Sequence, residues 1–154
     1  MSDAIKIVTT NKKARFDYHI GDTVEAGMVL KGTEVKSLRG GRCSIQESYA
    51  RFIQEELWVI GMTISPYENA GYATHDPDAP RKLLLKREEL RKLRRQVMEK
   101  GVTLIPLRLY FRDGWAKLEI GLATSKRKYD KRQDIAERDR GREMKRLEKE
   151  FKVR

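Results

Sequence analysis

Between residues 103 and 123 apolar and polar side chains alternate. Leu107, Leu109 and Phe111 stand against Arg108, Tyr110 and Arg112, and Leu118, Ile120 and Leu122 against Lys117, Glu119 and Gly121. A period of two puts neighbouring side chains on opposite faces of an extended chain, so two strands are predicted. Asp113-Gly114 between them tolerates the positive φ angles of a two-residue type I′ turn, which makes the pair a hairpin with one buried face. A second hairpin is predicted from Tyr49–Ile53 and Leu57–Ile64, both rich in β-branched and aromatic residues, with Gln54, Glu55 and Glu56 as the turn and Pro66 as the terminator. A further strand is predicted over Tyr18–Leu30, irregular at Gly27. At least five strands in about 110 residues predict a mainly β chain, and favour a small closed antiparallel barrel over an open parallel sheet.

Helical periodicity is rarer. Leu90, Leu93 and Val97 fall at i, i+3 and i+7, with Gly101 where a left-handed C-cap belongs, so Lys86–Lys100 is predicted to be an amphipathic helix. Its other face is crowded with Arg91, Lys92, Arg94 and Arg95. Residues 33–39 read as a short helix before Gly40-Gly41, with Val35 and Leu38 turned to the core. Met144, Leu147 and Phe151 repeat the i, i+3, i+7 spacing near the C-terminus, predicting a segment that becomes helical when something covers the stripe.

Charge then divides the chain. Residues 81–100 and 125–154 are each net +6, whereas the whole chain is +11, so the other residues sum to −1. Two cationic elements on a nearly neutral body favour a polyanionic partner, since each phosphate neutralised by Lys or Arg releases counterions. After Ala123 the large aliphatic or Phe side chains are only Ile135, Met144, Leu147, Phe151 and Val153. That is too little apolar surface to offset the entropy of ordering such a segment alone. The chain therefore reads as a folded domain over 1–124 and a basic tail over 125–154, mobile when free. The longest uncharged stretch, Leu57–Tyr67, is about half of the roughly 20 residues a membrane helix needs, and Met1–Thr10 lacks a secretion signal; a soluble, intracellular protein is expected.

Catalytic chemistry finds few candidates. There is no phosphate-cradling Gly-Lys-Thr/Ser loop, Gly-x-Ser-x-Gly or His-Glu-x-x-His. Cys43 is the sole cysteine and His19 and His75 the sole histidines, so no Cys/His zinc set exists, and Cys43 reads as a bystander. His75-Asp76 could be imagined as an acid/base pair, but His-Asp-Pro before Asp78-Ala79-Pro80 reads more simply as a loop. Tyr18, Tyr67, Tyr72, Trp115 and Tyr129 are interleaved with the basic segments and are candidates for stacking on unpaired bases. Composition does not choose among them.

Gly32-Thr33-Glu34-Val35-Lys36-Ser37-Leu38-Arg39, Asn11-Lys12-Lys13-Ala14-Arg15, Glu25-Ala26-Gly27, Glu47-Ser48-Tyr49, His75-Asp76-Pro77, Arg81-Lys82-Leu83-Leu84-Leu85, Leu107 with Tyr110, and Tyr129-Asp130-Lys131-Arg132 carry a resemblance to the small protein B family. That family partners transfer-messenger RNA in bacterial ribosome rescue. The resemblance implies a closed barrel partly like the oligonucleotide-binding fold, with short flanking helices, no catalytic centre and no cofactor or metal. It implies a face for the tRNA-like part of transfer-messenger RNA at Glu25, Leu84, Lys86 and Lys117, with Arg15 and Lys36 nearby. It further implies that the tail enters the decoding centre and empty messenger channel of the small subunit, folding into a helix, with Asp130, Lys131 and Arg132 meeting decoding-centre RNA. Lys86 stands where many members carry His or Asn, and Ser125 where Gly is usual. Lys86 and Lys117 suit phosphates, whereas an ionised Glu25 only accepts hydrogen bonds and so suits a base edge or ribose hydroxyl. The alternatives are a generic ribosomal-RNA-binding protein and, from another class, an RNA-processing enzyme using His75 and Asp76.

Overall fold

The computed structural model describes residues 5–66 and 75–126. They form β1 (Ile5–Thr10), α1 (Lys12–Asp17), β2 (Tyr18–Met28), α2 (Gly32–Arg39), β3 (Cys43–Ser44), β4 (Tyr49–Ile53), β5 (Glu56–Ile60), β6 (Thr63–Ile64), β7 (Arg81–Leu84), α3 (Arg87–Lys100), β8 (Thr103–Arg112) and β9 (Trp115–Ser125). The chain is mainly β with short helices, as its patterning predicts, and the described residues up to Thr124 belong to one compact unit. Seven strands pair in the order β1-β8-β4-β5-β7-β2-β9, and β8 also pairs with β9, so β8, β4, β5, β7, β2 and β9 follow one another in a ring. One edge of β8 is shared: β4 meets it at Leu104, and β1 takes over from Arg108 to Arg112. β3 and β6 form a separate two-stranded ladder.

Both predicted hairpins are present. Asp113 and Gly114 have φ of 51° and 83°, and Arg112 pairs with Trp115 across them. The other turn is tighter than predicted. Ile53 pairs with Glu56, so Gln54 and Glu55 alone make it, at φ of 50° and 67°. The single strand expected over Leu57–Ile64 is two, because β5 stops at Ile60 and Thr63–Ile64 pairs instead with β3. β1, β3 and β7 were not foreseen: they are short or half-exposed, and their alternation is too weak to read.

The main core gathers Leu38, Ile45, Leu57, Val59, Met62, Ile64, Leu83, Leu93, Leu104, Leu109, Leu118 and Ile120. A smaller cluster of Ala14, Ile105, Leu107 and Ala123, with Tyr18 and Ile20, packs beneath α1. A register shift between Pro106 and Arg108 explains the division. The extra residue of a bulge reverses the facing of the strand, so Leu107 joins the small cluster whereas Leu109 joins the main one. The expected single face through Leu107, Leu109 and Phe111 is thus split. Tyr110, expected to point outward, lies on the outer side as predicted but is covered there, with 2% of its surface exposed.

α3 starts one residue later than predicted and ends on Gly101 at φ 63°, whose N–H bonds the Val97 carbonyl at 3.0 Å. Leu93 is its buried anchor. α2 differs in facing: Glu34, Ser37 and Leu38 are buried, and Val35 only partly. The charge of Glu34 is accommodated by Arg81, whose Nε donates to Glu34 Oε2 at 2.6 Å while its other nitrogens donate to the carbonyls of Met62, Asp76 and Pro77. The expected tail, including its helix through Met144, Leu147 and Phe151, falls on residues outside those described.

Candidate nucleic-acid interface

β2, β7, β8 and β9 bring the sequence-predicted residues to one outer face. Glu25 and Gly27 are two apart on β2 and so share a side; Gly27 pairs with Leu84 of β7, and Lys117 of β9 pairs with Tyr110 of β8. Gly27 is the meeting point. A Cβ there would stand 3.5 Å from Leu84 Cβ and 3.8 Å from Lys117 Nζ, so the bare backbone lets the two side chains converge. Leu84 is 51% exposed, a large apolar side chain standing on a polar face. Lys86, two residues on, is the exposed N-cap of α3, and its N–H donates to Glu89 Oε1 at 3.2 Å.

Glu25 is held from β8. The Tyr110 hydroxyl donates to Glu25 Oε2, and Arg112 Nε donates to the same oxygen at 3.2 Å. Both bonds fall on Oε2, and among the described residues none falls on Oε1. The guanidinium carbons of Arg108 and Arg112 lie 5.2 and 5.8 Å from the centre of the Tyr110 ring, and Arg108 is paired twice with Glu119 at 3.1 and 3.0 Å. Burial, and after it the bond to Glu25, push the Tyr110 phenol up to about 12. Tyr110 therefore remains a hydrogen-bond donor across the physiological range. Arg112 is a member of this group that the patterning did not single out; the signal available was three outward residues, Arg108, Tyr110 and Arg112, on one strand.

The other predicted residues are dispersed. Arg15 is on α1 and Lys36 on α2, both exposed and on elements other than those of the Glu25 group. Asp130, Lys131 and Arg132 lie outside the described residues, as do Tyr67, Tyr72 and Tyr129. Of the remaining aromatic candidates, Trp115 is 73% exposed at the β8–β9 turn and Tyr18 is partly buried beside α1.

His75 does not have the setting of an acid/base catalyst. It is buried; Nε2 lies 2.9 Å from the Ile64 carbonyl and Nδ1 2.9 Å from Thr33 Oγ1. A carbonyl only accepts, so Nε2 donates to it and both ring nitrogens are occupied by the fold. Asp76 accepts from the Asp78 N–H at 3.0 Å, closing the loop on itself. Cys43 is partly buried, and burial pushes its thiol up to about 11, away from the thiolate a nucleophile needs. Among the described residues no group of three or more His, Cys, Asp or Glu is placed to hold a metal ion, and no helix is long and apolar enough to cross a membrane.

The family model described as SmpB protein matches residues 8–150. The chain belongs to the SmpB family. Members similar to it include the SsrA-binding protein of Lachnoclostridium phytofermentans, 51% identical over 152 residues that cover 99% of this chain and 97% of that protein. The SsrA-binding protein of Thermobifida fusca is 54% identical over 141 residues, 92% of this chain and 88% of that one. A solved family structure, described as "tmRNA-SmpB: a journey to the center of the bacterial ribosome", superposes with a TM-score of 0.66 at 47% identity, covering 82% of this chain and 93% of its own. The family motifs therefore have two kinds of residue here. Thr33, Glu34, Ser37, His75 and Arg81 tie α2 to the loop before β7, whereas Glu25, Gly27, Leu84 and Lys117 form an outward face.

Proposed function

We propose that the chain is an RNA-binding adaptor that binds transfer-messenger RNA and brings it to stalled ribosomes for trans-translation, in the cytoplasm and without catalysing a reaction itself. Family membership over residues 8–150 carries the reading, together with likeness to a relative described with that RNA and the bacterial ribosome. In this reading the strand ring is a small closed barrel partly like the oligonucleotide-binding fold, and it belongs to an RNA-binding domain over 1–124. Glu25, Leu84, Lys86 and Lys117 face the tRNA-like part of the RNA, with Arg15 and Lys36 as neighbours. Residues 125–154 are the tail, which enters the decoding centre and vacant messenger channel, with Asp130, Lys131 and Arg132 against ribosomal RNA.

The physical division on the RNA face follows from the side chains. Lys117 and Lys86 neutralise phosphates, Leu84 covers an unstacked base or ribose, and Glu25 accepts from a base amino group or a 2′-hydroxyl. A carboxylate facing RNA is electrostatically adverse, and its recompense is selectivity: an RNA lacking the donor leaves Glu25 Oε1 without a partner beside phosphates. Gel-shift titration of transfer-messenger RNA tests this. Glu25→Ala should lose a charge-assisted bond, about 1.5–3 kcal/mol or roughly 10- to 150-fold in affinity, and Leu84→Glu should weaken binding at least as much. Competition by bulk transfer RNA at moderate salt should leave the wild type largely bound. Binding that both substitutions leave intact, or that bulk transfer RNA displaces freely, would return the protein to the generic ribosomal-RNA class.

A further inference from the structure

Four arginines, Arg87, Arg91, Arg94 and Arg95, crowd one side of α3, and three of them, Arg87, Arg91 and Arg95, follow one another at i, i+4 and i+8. Like charges at that spacing oppose each other on a helix surface. Acids flank the row at its two ends, Glu88 three residues before Arg91 and Glu99 four beyond Arg95, but none interrupts it between Arg87 and Arg95. Two nearby cations are neutralised: Arg94 pairs with Glu55 at 3.5 Å, and Lys82 with Glu56. Arg87, Arg91 and Arg95 are exposed and make no ion pair among the described residues.

The stripe also has a beginning. Leu84 ends β7 on the outer face described above, Lys86 caps α3, and Arg87 opens its first turn, so the chain leads from that face directly into the arginine row. From Arg87 to Arg95 they span about 12 Å at the rise of an α-helix. We propose that the RNA bound on the Glu25–Leu84–Lys117 face runs on along α3, its phosphate backbone neutralised by Arg87, Arg91 and Arg95. The inference rests on the reading of that face given above and extends the RNA contact beyond it. A cleft of about 530 Å³ that Arg87 and Arg91 line on one side, with Phe52, Leu90 and the β4–β5 turn, is not the path: its far wall carries Glu55 and Glu56, which repel phosphate. The strand follows the outer edge of the helix, over Arg91 and Arg95.

Transfer-messenger RNA affinity measured from low to moderate salt tests this, because each neutralised phosphate adds roughly 0.7–0.9 to the slope of log affinity against log salt. The triple replacement R87Q/R91Q/R95Q should flatten the slope by about two to three and weaken binding roughly tenfold or more at moderate salt. R87K/R91K/R95K, which keeps the charge, should retain the wild-type slope, and circular dichroism should show both triples folded. A slope unchanged in the Gln triple, with Leu84→Glu weakened, overturns the α3 path and leaves the face intact. A slope flattened while Leu84→Glu binds like wild type overturns the continuity between them. An unchanged slope on transfer-messenger RNA with weakened pelleting on ribosomes assigns the stripe to ribosomal RNA and overturns the proposal.

Discussion

Tyr110 shows how one residue serves both packing and the orientation of a neighbour. Its ring is covered by Arg108 and Arg112 while its hydroxyl orients Glu25. Its folded-state pKa lies near 12, above the ordinary phenol value of 10.0. Folding therefore favours the protonated form; that contribution is complete below about pH 10 and is lost as pH rises through about 12. The stability gap between wild type and Tyr110→Phe, read by urea titration, should narrow between those values, and a constant gap would count against the buried bond. Tyr110→Phe should also reduce RNA affinity several-fold, since an unheld carboxylate must be ordered on binding. Arg81 belongs to the residue scale too. It joins Glu34 to three carbonyls, and removing one partner of such a pair strands the others in a dry interior. Arg81→Met should cost about 3–5 kcal/mol in denaturant unfolding, whereas replacing an exposed arginine such as Arg91 should cost little.

Among the elements, the hairpins were the most legible, because turn chemistry and alternation are local properties. Asp113-Gly114 matched its turn, and the β8–β9 register follows from it. Gln54-Glu55 adopts the same positive φ angles without the residues that favour them, so the β4–β5 turn is held by the strands it joins. Replacing the pair with Asn-Gly should raise stability by about 0.5–1 kcal/mol, visible as a higher thermal midpoint, even after loss of the exposed Glu55–Arg94 pair. α3 was readable for a similar reason, with its apolar stripe and Gly101 stop both written in sequence. The bulge in β8 was not. Leu107 and Leu109 are two apart and equally apolar, and only the presence of α1 on one side and the main core on the other sends them to different clusters.

Over the whole molecule, charge and apolar content predict a body over 1–124 and a basic extension over 125–154, and the described residues up to Thr124 belong to one compact unit. If that division is also one of labour, a chain lacking residues 131–154 should bind transfer-messenger RNA with wild-type affinity in gel shifts yet fail to support tagging of stalled peptides. Loss of both activities together would reject the separation. The ring of strands assembles the outer face: β7 brings Leu84 beside Gly27, and β8 and β9 bring Tyr110, Arg112 and Lys117 to the same side.

Sequence alone determined the β-rich class, the two main hairpins, the amphipathic helix with its cationic face, and the placing of charge, since each depends on neighbours within a few residues. Its motifs also named Glu25, Leu84 and Lys117, but not what joins them. Tertiary structure decided that Glu34 turns inward to Arg81, that His75 spends both nitrogens on the fold, and that Tyr110 and Arg112 fix Glu25 from 85 and 87 residues away. Those outcomes rest on hydrogen bonds and ion pairs between strands distant in sequence, whose partners are selected by burial and register once the sheet has formed, and no local periodicity records them.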